Sequence, residues 1–276
     1  MDPRTSPLAG KTSFYFSFLL LPRDQRLALE TLYRFCWAAD DISDSSLPPA
    51  EKRKKLISFR QNLRACLSGQ ASDLFFRELQ GVVSRFGLSR KPLEDVLKGV
   101  ERDLRPVRFK TFGELLHYAL QVAGAPGVAS MEIFGFKDSA HRRYAENLGI
   151  FLQLVNMLRD FKEDGAAGRQ YFPTEDFKRF RLDPSSVEAG DPNWARFVGF
   201  QLERAKSFLE KSRASLSPGE RRLLPTAEAI AAVYLRLFAK LRKNPDRILK
   251  EKTSLAKWEK LWAVGATLLR LKLGRG

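Results

Sequence analysis

Residues 32–44, LYRFCWAADDISD, end an apolar run on three carboxylates. Asp40 and Asp44 are four residues apart, which on a helix places them on one face a turn apart, while Asp41 points about a quarter-turn away. A second set repeats the spacing. Asn156, Asp160 and Asp164 stand at i, i+4 and i+8, with Gln153 a turn before Asn156. A single aspartate pair at i, i+4 is commonly no more than a solvated helix face. Two such sets, each adjoining apolar helix, change the balance, because amides and carboxylates inside FLQLVNML are costly to bury without partners. An oxygen-only donor set suits a hard cation such as Mg²⁺. His117 and His141 are the only histidines, too few for a zinc cluster. Mg²⁺ keeps several waters and links one or two carboxylates to phosphate oxygens. No Walker loop offers a nucleotide site. Two facing acidic sets therefore point to diphosphate chemistry in a helical cavity.

The elements that must carry these residues read as helices. Residues 144–164 place Leu148, Phe151, Leu152, Val155 and Leu158 on one broad stripe. Segments 24–44, 52–67, 73–86, 92–104, 112–134, 194–214 and 219–243 have similar periodicity. Their breaks are helix punctuation: SSLPP at 45–49, FGLSRKP at 86–92, SLSPGE at 215–220 and KNPD at 243–246. Strand-type alternation of useful length is absent. The expectation is one all-α domain over residues 1–276, with 165–193 as a loop or lid beside the second acidic set.

The chain has 276 residues, 44% of them hydrophobic, which is a globular composition. Two cysteines, Cys36 and Cys66, make no disulfide framework and suit a reducing cytoplasmic setting. The apolar run 14–21 is too short to cross a bilayer and is followed by no small-residue cleavage site. The net charge is +16, and residues 236–276 hold 12 Lys and Arg against three acidic residues, so the excess is mainly C-terminal. Such a balance favours an anionic partner. Residues 255–273 mix apolar and basic positions at helical spacing, which fits either peripheral contact with an anionic membrane or a packed terminal helix with a solvated face.

Several segments together resemble the squalene/phytoene synthase family of head-to-head prenyltransferases. They are SFYFSFLLLPRDQRLALETLYRFCWAADDISD at 13–44, VLKGVERDL at 96–104, YALQVAGAPG at 118–127 and LQLVNMLRDFKEDGAAGRQYFP at 152–173. The opening run and NMLRD look most like bacterial presqualene diphosphate synthases (the HpnD type), with bacterial phytoene synthases close behind. The resemblance implies an isoprenoid-synthase-type helical bundle around a central cavity. It implies condensation of two allylic prenyl diphosphates, farnesyl diphosphate first among them, with two or three Mg²⁺ ions. Asp40 and Asp44 would hold Mg²⁺ from one side, with Asp41 near them; Asn156, Asp160 and Asp164 would hold it from the other. Ser13, Tyr33, Tyr118, Gln153, Arg159, Arg169, Tyr234 and Arg247 fall where family members contact diphosphate or line the cavity, and Tyr118 joins the aspartates as a catalytic candidate. Phe14, Phe18, Tyr33 and Tyr118 flank the motifs and would wall the cavity. Use of NADPH stays open, because family members that use it carry no G-x-G-x-x-G fingerprint. A monomer is expected.

One departure stands out. Family members commonly carry arginine three residues before Asp40, and here that residue is Trp37. Indole cannot form the paired hydrogen bonds that guanidinium gives a phosphate. Arg34, one turn earlier, is the replacement this reading offers. Three other readings remain at this point: a basic helical nucleic-acid-binding protein, for which no recognised motif exists; a head-to-tail chain-elongating synthase, since DDISD also fits D-D-x-x-D; and a non-catalytic family member.

Overall fold

Helix starts in this chain are written by its caps. Asp73 accepts from the Phe76 amide at 3.1 Å, Asp138 from the Ala140 amide at 2.9 Å and Asp191 from the Asn193 amide at 2.8 Å. Ser217 and Glu220 form a reciprocal capping box. Each satisfies amides that the first helical turn leaves unpaired. Gly87, at φ +62°, closes a helix in the left-handed conformation that glycine adopts without a Cβ clash.

The computed structural model describes residues 15–273. In chain order the helices are α1 (Tyr15–Phe18), α2 (Arg23–Asp44), α3 (Pro49–Leu67), α4 (Leu74–Phe86), α5 (Arg90–Asp103) and α6 (Phe112–Ala119). A π-helical turn, Leu120–Gly124, runs directly into α7 (Ala125–Ile133). Then come α8 (Ser139–Arg159), α9 (Phe161–Ala166), α10 (Thr174–Arg179), α11 (Pro192–Ala214) and α12 (Pro218–Arg222). The chain ends with α13 (Pro225–Lys243), α14 (Arg247–Lys250) and α15 (Lys257–Lys272). Among the described residues there is no strand, only an isolated parallel bridge between Arg108 and Gln170. The all-α, single-domain expectation holds.

α8 is the axis. It packs along α11 on one side and against α7, the π turn and α13 on others, while α2 packs on α5 and α7. Gly149 in α8 makes the closest approach possible. A Cβ there would sit 2.5 Å from the Ala123 carbonyl oxygen and 2.9 Å from the Gly124 amide nitrogen, both backbone atoms that cannot yield. The wide π turn and the missing side chain together let YALQVAG lie against α8.

Three runs differ from their sequence reading. Residues 112–134 are not one regular helix, because the π turn interrupts them. Residues 144–164 start earlier, at Ser139, and bend at Asp160 (φ −97°, ψ 6°). Residues 219–243 break before Pro225, whose ring suits only a helix's first turn. The irregular stretch 165–193 holds the short helix α10 and is tightly tied down. The Gln170 amide donates to the Val107 carbonyl and the Thr174 amide to the Phe109 carbonyl, each at 2.9 Å. Buried Asp176 accepts from Gln201 at 2.8 Å and from Arg204 at 3.1 Å. The Phe177 and Phe197 rings stack at 4.8 Å, and the Trp194 indole donates to the Pro245 carbonyl at 3.1 Å.

Candidate active site

The C-terminal half-turns of α2 and α8 meet across a cavity of about 270 Å³. Asp40 and Asp44 enter from α2. Gln153, Asn156 and Arg159 enter from α8, and Asp160 and Asp164 follow through the bend. The bend keeps the second set in register, since the Asp164 amide still donates to the Asp160 carbonyl and the Asp160 amide to the Asn156 carbonyl, both at 2.8 Å. Tyr118, at the end of α6, and Arg169, just beyond α9, complete the lining anticipated from sequence.

Five lining residues were not anticipated: Ser43, Val122 and Met157, and two that bear on the chemistry, Asp103 and Tyr171. Asp103 ends α5 and accepts a hydrogen bond from the Tyr118 hydroxyl at 2.8 Å. Tyr171 stacks on Tyr118 with ring centres 5.5 Å apart. Both stand in segments quoted above for their family resemblance, VERDL and RQYFP. Neither has a helical-face partner that would single it out.

The other sequence-selected residues lie elsewhere. Ser13 and Phe14 are outside the described residues. Asp41 is exposed, about 100° round α2 from Asp40. Arg34 is an outward-facing residue, and this corrects its expected place beside the diphosphate. It pairs with Glu78 at 2.7 Å and lies over the Phe75 ring. Six residues separate it from Asp40, which puts it about 120° away on the helix wheel. Arg247 is likewise at the surface, paired with Glu251 at 2.8 Å, and not among the cavity residues. Tyr234 is buried behind the second set, where its hydroxyl donates to the Asn156 side-chain oxygen at 3.0 Å. Half-buried Tyr33 packs between Phe18, at 5.4 Å, and Trp37, at 6.4 Å. Among the described residues the cations that line the cavity are Arg159 and Arg169.

Five carboxylates against two guanidiniums leave the cavity acidic. Arg169 pairs with Asp44, and Arg159 with Asp160. Lys252 adds a contact to Asp160 at 2.9 Å. Burial alone would raise Asp160, but Arg159 and Lys252 outweigh it and hold this carboxyl below its usual range. Asp40 forms no ion pair among the described residues and feels only a weaker pull from Arg169. Burial, then Asp103, Asp44 and Asp41, push it up to about 7. Burial and Asp160 raise Asp164 to about 7, and burial raises Asp103 to about 6. One Asp103 oxygen is buried with no hydrogen-bond partner. Among the described residues no three carboxylate, histidine or cysteine side chains converge on a single cation position. An oxygen-rich site with repelling carboxylates and an orphaned acceptor fits divalent cations that take the rest of their shell from waters and phosphate oxygens.

A model of the squalene/phytoene synthase family matches residues 9–260 of this chain. The chain belongs to the squalene/phytoene synthase family. The "Phytoene synthase" of Mycobacterium tuberculosis is 30% identical over 261 residues, covering 93% of this chain and 86% of that protein. The "15-cis-phytoene synthase" of Synechococcus elongatus is 26% identical over 272 residues, covering 94% and 88%. Among solved structures, a dehydrosqualene synthase in complex with ligand superposes with a TM-score of 0.81 at 22% identity, covering 96% of this chain and 93% of that one. The squalene synthase HpnC from Alicyclobacillus acidocaldarius gives 0.70 at 22% identity, covering 99% and 92%. These two structures establish the fold. As a squalene/phytoene synthase family member the protein is a prenyltransferase. The family's reaction is head-to-head condensation of prenyl diphosphates, with a divalent metal at the diphosphates.

Proposed function

We propose that this protein condenses two molecules of farnesyl diphosphate head to head, giving presqualene diphosphate or, with NADPH as hydride donor, squalene, with Mg²⁺ at the cavity described above. The observation that carries the reading is the convergence of Asp40, Asp44, Asp103, Asp160 and Asp164 with Arg159 and Arg169 on one cavity. Asp40 and Asp44 would hold Mg²⁺ on the α2 side, and Asn156, Asp160 and Asp164 on the α8 side, for two or three ions in all. Bound there, the cations neutralise the leaving diphosphate as Lewis acids.

This chain's own residues do the remaining work. Arg159 and Arg169 give fixed guanidinium charge to the diphosphate oxygens. Tyr234 fixes the Asn156 amide through its hydroxyl. The stacked Tyr118 and Tyr171 rings face the cavity, where an allylic cation gains from their π faces and from the exclusion of water. Forming presqualene diphosphate bonds C1 of one farnesyl unit to C2 and C3 of the other, with loss of one diphosphate and of a proton from that C1. Tyr118, hydrogen-bonded to Asp103 in the cavity wall, is the relay this reading offers for that proton. Squalene needs a further step in which the second diphosphate leaves and NADPH supplies a hydride. α15 presents Trp258, Leu261 and Trp262 to solvent beside Lys257 and Lys260, a surface suited to an anionic bilayer that would hold greasy substrates and products.

A second reading, phytoene synthesis from geranylgeranyl diphosphate, is favoured by the printed names of the relatives above. Product analysis separates them. Incubation with Mg²⁺ and either diphosphate, with and without NADPH, is expected to give a C30 product from farnesyl diphosphate at the higher kcat/KM. A preference for geranylgeranyl diphosphate with a C40 product supports the second reading, and no product from either overturns both.

A further inference from the structure

On the far side of the wall formed by α5 and α6 lies a larger cleft of about 500 Å³, with charge opposite to the acidic cavity. Its lining brings Arg53 from α3 and Lys98 and Arg102 from α5 together with Arg105 and Arg108 from the loop that follows. The one carboxylate there, Glu101, is already paired with Arg60 at 2.7 Å. Lys98 pairs with Asp95 at 2.7 Å, and Arg102 lies 4.6 Å over the Phe109 ring. The side chains of Arg53, Arg105 and Arg108 enter no ion pair or hydrogen bond among the described residues. Five converging cations repel one another, and a concave wall focuses their field, so the cleft attracts anions. Guanidinium groups in particular match phosphate oxygens two at a time.

Its position narrows the ligand. Neighbouring residues of the same helices face opposite ways. Asp103 and Tyr118 line the acidic cavity, while Arg102 and His117 line the basic cleft. A recess of about 260 Å³ borders both. It shares Asp164, Arg169 and Tyr171 with the cavity and Arg108 with the cleft. We propose that the basic cleft is a second, metal-independent site for a phosphate anion, taking the inorganic diphosphate released in the cavity and passed along the recess by Arg169 and Arg108. The charge class of the ligand rests on the cleft alone; its identity as leaving diphosphate rests on the proposed function.

The test is calorimetric titration of the intact protein with inorganic diphosphate in excess chelator. Without divalent cations the acidic cavity repels this probe, so binding reports the cleft. Saturable binding is expected, weakened tenfold or more in the Arg53→Gln/Arg105→Gln/Arg108→Gln variant. All three arginines are exposed, so the variant is expected to keep the wild-type helical circular dichroism. No saturable binding by the wild type, or equal binding by the triple variant, overturns the site. Vesicles of phosphatidylglycerol that lose their binding in the triple variant, while diphosphate does not bind the wild type, would assign the cleft to lipid headgroups and overturn it too. Product formation without metal-free binding rejects the cleft and leaves the reaction standing; metal-free binding without product formation supports the cleft and rejects the reaction.

Discussion

At the scale of single residues, the raised carboxyls carry a signed consequence. Asp40 and Asp164 are held at about 7 and Asp103 at about 6, each first by burial. A carboxyl whose folded pKa lies above its unfolded value binds more protons in the folded state, so the metal-free protein loses stability as pH rises from about 4 to 7. Mg²⁺ displaces those protons and binds more tightly as pH rises through 7. Scanning calorimetry is expected to show a Tm for metal-free protein that is lower at pH 8 than at pH 6. At a hundredfold excess over Kd, Mg²⁺ at pH 8 should raise Tm by about 5 °C, with a smaller rise at pH 6. The residues behind this effect were unequally legible. Asp40, Asp44, Asn156, Asp160 and Asp164 announce themselves by helical spacing next to apolar stretches. Asp103 sits among Glu101, Arg102 and Arg105, a pattern that reads as solvated surface, and only tertiary packing turns it inward. Arg34 shows the converse error: nearness in sequence to Trp37 says nothing about facing Asp40.

At the scale of elements, the site depends on helices being held at fixed depth. The π turn and Gly149 do this for Tyr118, and neither the widened turn nor the close approach has a signature in hydrophobic periodicity. The helix start at Asp73 was legible from its cap, whereas the start after Asp191 was placed two residues late and the break before Pro225 was missed inside 219–243. The far end of the bundle is held by charge. Glu228 of α13, 1% exposed, accepts from the Tyr144 hydroxyl at 2.9 Å and faces Arg213 at 3.6 Å, Arg221 at 3.9 Å and Arg270 of α15 at 3.6 Å. Removing that carboxylate leaves three part-buried guanidiniums facing one another. Glu228→Gln keeps the shape and is expected to cost about 3 kcal/mol, with amides of α15 losing hydrogen-exchange protection first. An unchanged Tm would show that the arginines are already solvated.

At the scale of the whole molecule, the fold class was readable from helical periodicity and the spacing of acidic sets pointed to diphosphate chemistry, both local properties, while the reaction class followed from the family resemblance of the quoted segments. What was not local was the sorting of charge into an acidic cavity and a basic cleft on the two sides of one wall. The net charge of +16 gives no hint of that division. Nor did it show which face of α15 is free: Ala263, Val264 and Thr267 are buried, while Trp258 and Trp262 are 67% and 59% exposed. Among the described residues no helix is long and apolar enough to cross a membrane. Flotation with anionic liposomes at low salt is expected to carry the protein upward, and Trp258→Ser/Trp262→Ser to reduce the floated fraction severalfold. Failure of the wild type to float would remove membrane contact from the account.

The central claim is that two acidic sets on α2 and α8 act together on a diphosphate. Its most direct test is the rate of diphosphate release from an allylic prenyl diphosphate by the wild type, Asp40→Asn and Asp160→Asn, each with Mg²⁺ and with chelator. The expected result is Mg²⁺-dependent release by the wild type and a loss of about a thousandfold or more in kcat for both variants, with helical circular dichroism unchanged. Wild-type turnover in either variant would contradict the account.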